Sequence, residues 1–408
     1  METLIYISDF RLPNRLEFIA PLKKYGQLKK ILLIEKQYEA YGAIPEGIFD
    51  EIIPILDVTD RVNIYPIVRD IQKKNNIIAI LTPGENAIET GGYLRSKLGI
   101  QGMQQNQSEA VRNKWIMKEM VRQRNVQTCR SAIATSSADY DRFVKQVGYP
   151  IIVKPLSGFA SINTFKISSA EELYYYLNTY RKVNQSDLLE EFIHGKEFHC
   201  DSIVHNGKVV FSSVSQYLYN CIDIARENKP PASITFPISD DSNFIKQIKE
   251  VNEQVISALG INNSVCHGEY FLTSAGEVVF GEIGARIGGA DVMPPCIKNT
   301  HGIDFFDAVI DLELKNFQLV QTETDQKYTG MICLPSKEGT VKEISSVKDF
   351  ADVSGIVDFN VYYSVDQQVN GVNDTMTRAG FAIVEGENFD DLKDKLLGIY
   401  NRFNIVTV

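Results

Sequence analysis

The stretch HGEYFLTSAGEVVFGEIGARIGG, residues 267–289, decides the fold. It reads as two short strands, His267 to Leu272 and Val278 to Ile283, joined by the turn-forming residues Thr273-Ser-Ala-Gly276. The second strand is apolar until it reaches a carboxylate. An antiparallel pairing brings Glu269 and Glu282 near each other. Two carboxylates held together repel unless a cation lies between them, and a hard divalent ion is the natural partner. Arg286 and the pair Gly288-Gly289 follow at once, where a phosphate can be approached closely. Carboxylates, an arginine and glycines at the end of a buried hairpin point to a site for a metal and the phosphates of a nucleotide. A surface hairpin with two solvated glutamates is the plainer reading of this window alone, so the rest of the chain has to decide.

The chain has 408 residues, too many for one ordinary core, and two or three domains are expected. An apolar content of 44% with 23% charged residues is that of a soluble globular protein. A net charge of −10 argues against a broad nucleic-acid surface, which needs a basic face. It leaves room for a small nucleotide held through a metal. The six cysteines, at 129, 200, 221, 266, 296 and 333, are far apart and form no CxxC pair, so reduced and mostly buried thiols are expected. The N-terminus does not read as a signal peptide, and no run approaches the length of a membrane span. A cytoplasmic protein is expected, with neither membrane nor nucleic-acid partner.

Residues 1–107 read as an open α/β unit. Strand-like runs at Leu4–Ile7, Ile31–Ile34, Ile52–Ile55 and Ile77–Leu81 alternate with helical segments at 13–25, 60–75 and 85–98, which implies a parallel sheet. Thr82-Pro-Gly-Glu85 follows a strand and opens a helix, a common place for polar ligands. Helices are expected at 109–124, with Lys114 and Lys118 on one face, and at 137–147, 169–181 and 241–259. Strands are expected at 151–155, near 164–167, at 188–193 and at 197–204. Residues 217–237, with three prolines, read as a long polar segment. From about residue 316 the chain reads as β-rich, closing on a helix at 388–402.

Lys154 ends a buried strand, is followed by Pro155 and precedes a loop of small residues. A lysine is a mobile point charge suited to phosphate oxygens, and small residues let backbone N–H groups close on them. Taken singly, Lys154 is as well read as a strand-end lysine emerging to solvent. The order of motifs changes that reading. RNKWIMKEM, GYPIIVKP, a small-residue loop, EEFIHGKEF and the hairpin follow one another in a way that resembles the ATP-grasp superfamily over about residues 108–315. GEIGARIGGAD, followed by IKNTHGIDFFDAVIDL, resembles the carboxylate–amine ligase branch that holds L-amino-acid ligases and aminoacyl carrier-protein ligases.

The resemblance implies an α/β (α+β) ATP-grasp fold: an N-terminal domain over 1–107, a nucleotide-binding domain over 108–315 with a lid at about 126–187, and a β-rich part over 316–408. It implies that Lys114 and Lys154 reach the ATP phosphates and that the loop Ser157 to Asn163, with Gly158 and Ser161, covers them. Glu190, Glu191, Phe192 and Ile193 would meet adenine through backbone groups, and Glu197 would bind the ribose. Glu269 and Glu282 would hold Mg2+, or Mn2+ in its place, and Arg286 would steady the transferred phosphoryl or acyl phosphate. Two positions depart from the family pattern. Gly284 stands where many relatives have a metal-binding Asn, and Ala160 and Asn163 stand where the phosphate loop is usually glycine. Arg378 has either a place in the same cleft or a structural one.

The activity implied is ATP-dependent joining of a small carboxylate, an amino acid, to an amine through an acyl phosphate, with release of ADP and phosphate. The other readings are loading of an amino acid on an acyl-carrier protein, a biotin-carboxylase-like reaction, and an ATP-binding regulator without catalysis. A homodimer is left open.

Overall fold

The computed structural model describes residues 1–40, 42–158, 161–182, 185–227, 229–289, 292–369 and 378–408. Strands β1 (Glu2–Ser8), β2 (Lys29–Glu35), β3 (Glu51–Ile55) and β4 (Asn76–Leu81) form a parallel sheet in the order β3-β2-β1-β4. Leu4 to Ile7 and Ile31 to Ile34 are wholly buried, as expected of parallel strands covered on both faces. The alternate residues of β1 feed two different cores, Leu4 and Tyr6 one and Ile5 and Ile7 the other.

The helix expected at 13–25 is instead three short 3-10 turns, Leu12–Asn14, Leu16–Phe18 and Ala20–Lys24. Pro13 and Pro21 explain the difference. Each lacks the N–H that a continuous α-helix would use, but both fit near the start of a fresh turn. The helix expected at 109–124 is split into Gln105–Ala110 and Lys114–Arg122. Asn113 causes the split: its side chain accepts from the backbone N–H groups of Trp115 and Ile116 and so starts a new helix. That new start places Lys114 and Lys118 on the buried side.

A four-stranded sheet follows, with β5 (Ser131–Ala134), β6 (Ile151–Pro155), β7 (Phe165–Ile167) and β8 (Asp187–Glu191) in the order β5-β8-β6-β7. The central sheet holds β9 (Gly195–His205), β10 (Lys208–Tyr217), β11 (Ala232–Thr235), β12 (Ser264–Thr273), β13 (Val278–Gly284), β14 (Tyr328–Leu334), β16 (Ile356–Val361) and β18 (Gly380–Gly386). Its order is β13-β12-β9-β10-β11-β14-β18-β16, and every recorded pairing in it is antiparallel. β15 (Gly339–Ile344), β17 (Gln368–Val369) and β19 (Ile405–Thr407) make a small third antiparallel sheet.

The 217–237 segment is more ordered than its composition suggests. It contains the helix Cys221–Glu227 and the buried strand β11, which bridges β10 and β14. The flanking prolines at 230, 231 and 237 masked a four-residue strand in the sequence. Among the described residues, no helix is long and apolar enough to cross a membrane. Cys129, Cys200, Cys266, Cys296 and Cys333 are buried thiols, and Cys221 is half-buried at the site described next.

Candidate functional site

The β12–β13 hairpin pairs Glu269 directly with Glu282, and a bulge just beyond leaves Gly281 without a partner residue. The bulge lets Gly281 turn its carbonyl toward Lys118, whose Nζ donates to it. A Cβ at 281 would come within 3.0 Å of the Glu269 carbonyl oxygen, so a larger residue there would have to push that backbone aside.

Three lysines converge on this hairpin from two elements. Lys114 and Lys118 come from the capped helix, and Lys154 from the end of β6. Lys114 Nζ lies 3.1 Å from Glu282 Oε1, and Lys154 Nζ lies 3.2 Å from Glu282 Oε2. Lys154 also reaches Glu190 Oε2 at 2.9 Å, and Lys118 reaches Glu190 Oε1 at 3.2 Å. Burial alone would raise the Glu282 carboxyl, but the charges of Lys114 and Lys154 outweigh it and hold the group well below the usual carboxylate range. Glu190 is held down the same way by Lys118 and Lys154. Burial would lower Lys154, yet Glu190 and Glu282 keep it firmly protonated.

The other carboxylates have different company. The Glu197 carboxylate, the Cys221 thiol and the Glu269 carboxylate offer ligand atoms within 4.8 Å of one another. Burial and the charge of Glu269 push Glu197 up to about 8. A carboxyl forced to keep its proton beside a second carboxylate is the signature of a place that a cation would relieve. The hard oxygens of Glu269 and of its strand partner Glu282 suit Mg2+ or Mn2+ better than a soft metal.

Behind Glu269 runs a buried polar line. His267 Nδ1 lies 2.8 Å from Asp201 Oδ1, and His199 Nδ1 lies 2.6 Å from Asp201 Oδ2. His199 Nε2 continues to Ser233 Oγ at 2.7 Å, and His267 Nε2 lies 3.3 Å from the Tyr217 hydroxyl. Burial works against a charge on His267, but Asp201 outweighs it and lifts the imidazole to about 9. Gly288 packs on that ring, because a Cβ there would fall 2.1 Å from His267 Nδ1. Asp201→Ala should therefore strip two buried histidines of their shared partner and cost about 3 kcal/mol of stability. Urea unfolding measures it, and an unchanged midpoint would show that the line is not structural.

Arg286 donates to Glu85, the acid of the Thr82–Glu85 segment, and Arg112 donates to the other oxygen of the same carboxylate. Burial would raise Glu85, but Arg286 and Arg112 hold it ionised. A Cβ at Gly284 would stand 3.5 Å from both the Arg286 side chain and Glu85 Oε2. Gly284 thus borders this ion pair.

One cavity of about 370 Å³ is lined by Lys114, Lys118, Lys154, Glu197, Glu269, Glu282 and Arg286 together. Gly158, Ser161, Glu190, Glu191, Phe192 and Ile193 line it as well. Ser157 is exposed and is not among the lining residues. Gly158 contributes its carbonyl to Lys114 at 3.0 Å, and Ser161 and Asn163 both adopt left-handed backbone, at φ 55° and 57°. Ala160 lies outside the described residues. Glu191 turns its carboxylate to Arg130, at 2.8 Å and 2.9 Å, which leaves its backbone to face the cavity. Arg378 also lines the cavity. Sequence reasoning passed over Glu85's ion pair and the Asp201 line, and it gave Lys118 no role. The helix-opening position of Glu85 and the spacing of Lys118 from Lys114 were the available signals.

Residues 121–312 match the family model described as D-ala D-ala ligase C-terminus, and residues 331–408 match L-amino acid ligase C-terminal domain 2. The chain belongs to the ATP-grasp carboxylate–amine ligases. It is thus an ATP-using enzyme of a carbon–nitrogen bond-forming class. It is 26% identical over 359 residues to the L-arginine-specific L-amino acid ligase of Bacillus subtilis, covering 86% of this chain and 85% of that one. It is 23% identical over 346 residues to dapdiamide A synthase of Enterobacter agglomerans, covering 79% and 78%. Among solved structures, the ATP-grasp fold is shared with an L-amino acid ligase from Bacillus licheniformis at a TM-score of 0.80 and 19% identity, over 100% of this chain and 98% of that one. It is also shared with the N5-carboxyaminoimidazole synthetase of Staphylococcus aureus, solved with ADP, at a TM-score of 0.71 and 13% identity, over 98% and 96%.

Proposed function

We propose that this ATP-grasp ligase activates the carboxylate of an amino acid as an acyl phosphate and passes the acyl group to an amine, releasing ADP and phosphate. The observation that carries the reading is the convergence of Lys114, Lys154 and Lys118 on Glu282 and Glu190, opposite Glu269. These lysines already hold anionic oxygen. The triphosphate of ATP supplies more of it, so Lys114 and Lys154 exchange Glu282 for phosphate oxygens and free that carboxylate for a cation. Phe192 and Ile193 line the cavity where adenine would sit, and Gly158 and Ser161 line it where the phosphates would sit. Glu269 and Glu282 would hold Mg2+, which supplies charge neutralisation on the phosphate oxygens when bound, and Glu197 would meet the ribose.

A carboxylate oxygen of the acid attacks the γ-phosphorus, and the bond to the β,γ-bridging oxygen breaks, leaving its electron pair on ADP. Glu190 and Glu282 keep Lys154 protonated, so it offers the phosphates a positive charge. Arg286, held in place by Glu85, faces the cavity and would steady the acyl phosphate. The amine then attacks the acyl carbon. The C–N bond forms, the C–O bond to phosphate breaks, and the amine loses a proton. Cys221 is no candidate nucleophile, since burial and then the charge of Glu197 push its thiol far above its ordinary value.

Single amino acids, pairs of amino acids, and amino acids with a carrier protein should be screened with ATP and Mg2+. ADP and orthophosphate are expected in equal amounts. Hydroxylamine should trap the activated acid as a hydroxamate when the acceptor is withheld. AMP and pyrophosphate in place of ADP would overturn the mechanism. Turnover only with a carrier protein would move the acceptor to a tethered thiol.

A further inference from the structure

One carboxylate of the cavity is gripped by two guanidinium groups. Glu85 follows β4 and opens the 3-10 turn Glu85–Ala87, at the C-terminal edge of the parallel sheet. Arg286 comes from the segment after β13 of the central sheet. Arg112 stands in the break between the helices Gln105–Ala110 and Lys114–Arg122. Three distant parts of the chain meet at this carboxylate: Arg286 Nε donates to Glu85 Oε2, and Arg112 Nη1 donates to Glu85 Oε1.

The side chains of Glu85 and Arg112 are only 11% and 8% exposed, so solvent screens these contacts little. Arg286 Nη1 also donates to the Ile287 carbonyl at 2.9 Å. A guanidinium is planar and has five N–H donors, so two bonds from different nitrogens fix its plane and leave donors for a ligand. Glu85 and Arg286 line the cavity, while Arg112 is not among the lining residues. Arg112 Nη1 lies 3.5 Å from the carbonyl oxygen of Gly158, which also accepts from Lys114 Nζ at 3.0 Å. The trio therefore adjoins the place where phosphates would sit.

A carboxylate on an arginine weakens that arginine's pull on any other anion, and Arg286 with Glu85 alone would be a neutral pair. Arg112 changes the balance, because two guanidinium cations and one carboxylate leave one net positive charge. The next charges outward are Lys114, which acts on Glu85, and Glu269, which acts on Arg286. Lys114 adds to the positive charge, and Glu269 faces the cation in the reaction proposed above. A net positive charge in a partly enclosed place attracts anions.

We infer that Glu85 and Arg112 are positioning residues for the anion that Arg286 meets. Glu85 aims the guanidinium by holding Nε, the nitrogen nearest the stem, and Arg112 offsets the charge that Glu85 brings. The anion is the carboxylate being activated and then the phosphoryl group it receives, so this inference rests on the ligase reading proposed above.

The test separates charge from aim. Orthophosphate is titrated by calorimetry into the full chain saturated with MgADP, for the original protein, Arg112→Met, Arg112→Lys, Glu85→Gln and the double variant Arg112→Met/Glu85→Gln. Arg112→Met should weaken orthophosphate binding about tenfold, because a charge one side chain beyond the contact still acts strongly in a buried place. Arg112→Lys should keep most of the affinity. The double variant restores the net charge and should bind within about threefold of the original. Turnover should follow aim instead. With an equimolar mixture of the proteinogenic L-amino acids, ATP, Mg2+ and hydroxylamine, Glu85→Gln and the double variant should each lose about a hundredfold in kcat. Unchanged orthophosphate binding in Arg112→Met would overturn the inference. So would a double variant that binds as weakly as Arg112→Met, which would make Arg112 a support of the fold alone, or a Glu85→Gln protein with the original kcat. Orthophosphate binding that follows the charge, with neither ADP nor hydroxamate formed from the mixture, would sink the ligase reading and keep the charge balance around Arg286. Hydroxamate formation with the same orthophosphate affinity in every variant would sink the inference and keep the ligase.

Discussion

Glu282→Gln is expected to lower turnover by on the order of a thousandfold or more while leaving the protein folded. The substitution keeps the shape of the side chain and removes its charge. Glu282 lies directly across the hairpin from Glu269, with Lys114 and Lys154 on its two oxygens. A neutral amide gives a hard cation a weaker ligand, and it removes the counter-charge that sets both lysines in place before ATP arrives. The side chain is 28% exposed, so the unpaired ammonium groups can recruit water and the fold should survive. Circular dichroism, a thermal melt and ADP production decide the matter. A folded variant with near-normal ADP release would remove Glu282 from the chemistry.

Lys154→Met should raise the KM for ATP and lower kcat by about a hundredfold, because a phosphate contact made in the ground state tightens as charge moves in the transition state. Lys154 is the bridge of the cluster, since it alone of the three lysines touches both Glu190 and Glu282 through its side-chain nitrogen. Without it those two carboxylates face each other with one lysine each, Lys118 and Lys114. The measurement is nucleotide affinity beside single-turnover rate. If neither moves, Lys154 serves only to hold Glu190 and Glu282.

Much of the fold can be read from local pattern. The four parallel strands of the N-terminal sheet announce themselves as apolar runs, because both faces of such a sheet are buried and nearly every residue must be apolar. Where local chemistry competed with periodicity, the reading failed. Pro13 and Pro21 cut an apparent helix into 3-10 turns, Asn113 started a helix afresh, and prolines around Ala232–Thr235 hid a buried strand that only its neighbours β10 and β14 make stable.

The site divides in the same way. The hairpin, its turn and its two glutamates lie close in sequence, so spacing alone brings Glu269 toward Glu282, and the order of motifs along the chain identified the family. The partners of those glutamates are a tertiary matter. Lys154 is 128 positions from Glu282, Glu85 is 201 from Arg286, and His267 is 66 from Asp201. No local pattern records that Glu190 would face lysines, that Glu191 would turn to Arg130, or that Glu197 would share a place with Glu269. The charges of these side chains are written in the sequence. Their pairing depends on which distant strands the sheets bring together. Electrostatic energy falls with distance and rises with burial, and both are set only once the chain has folded.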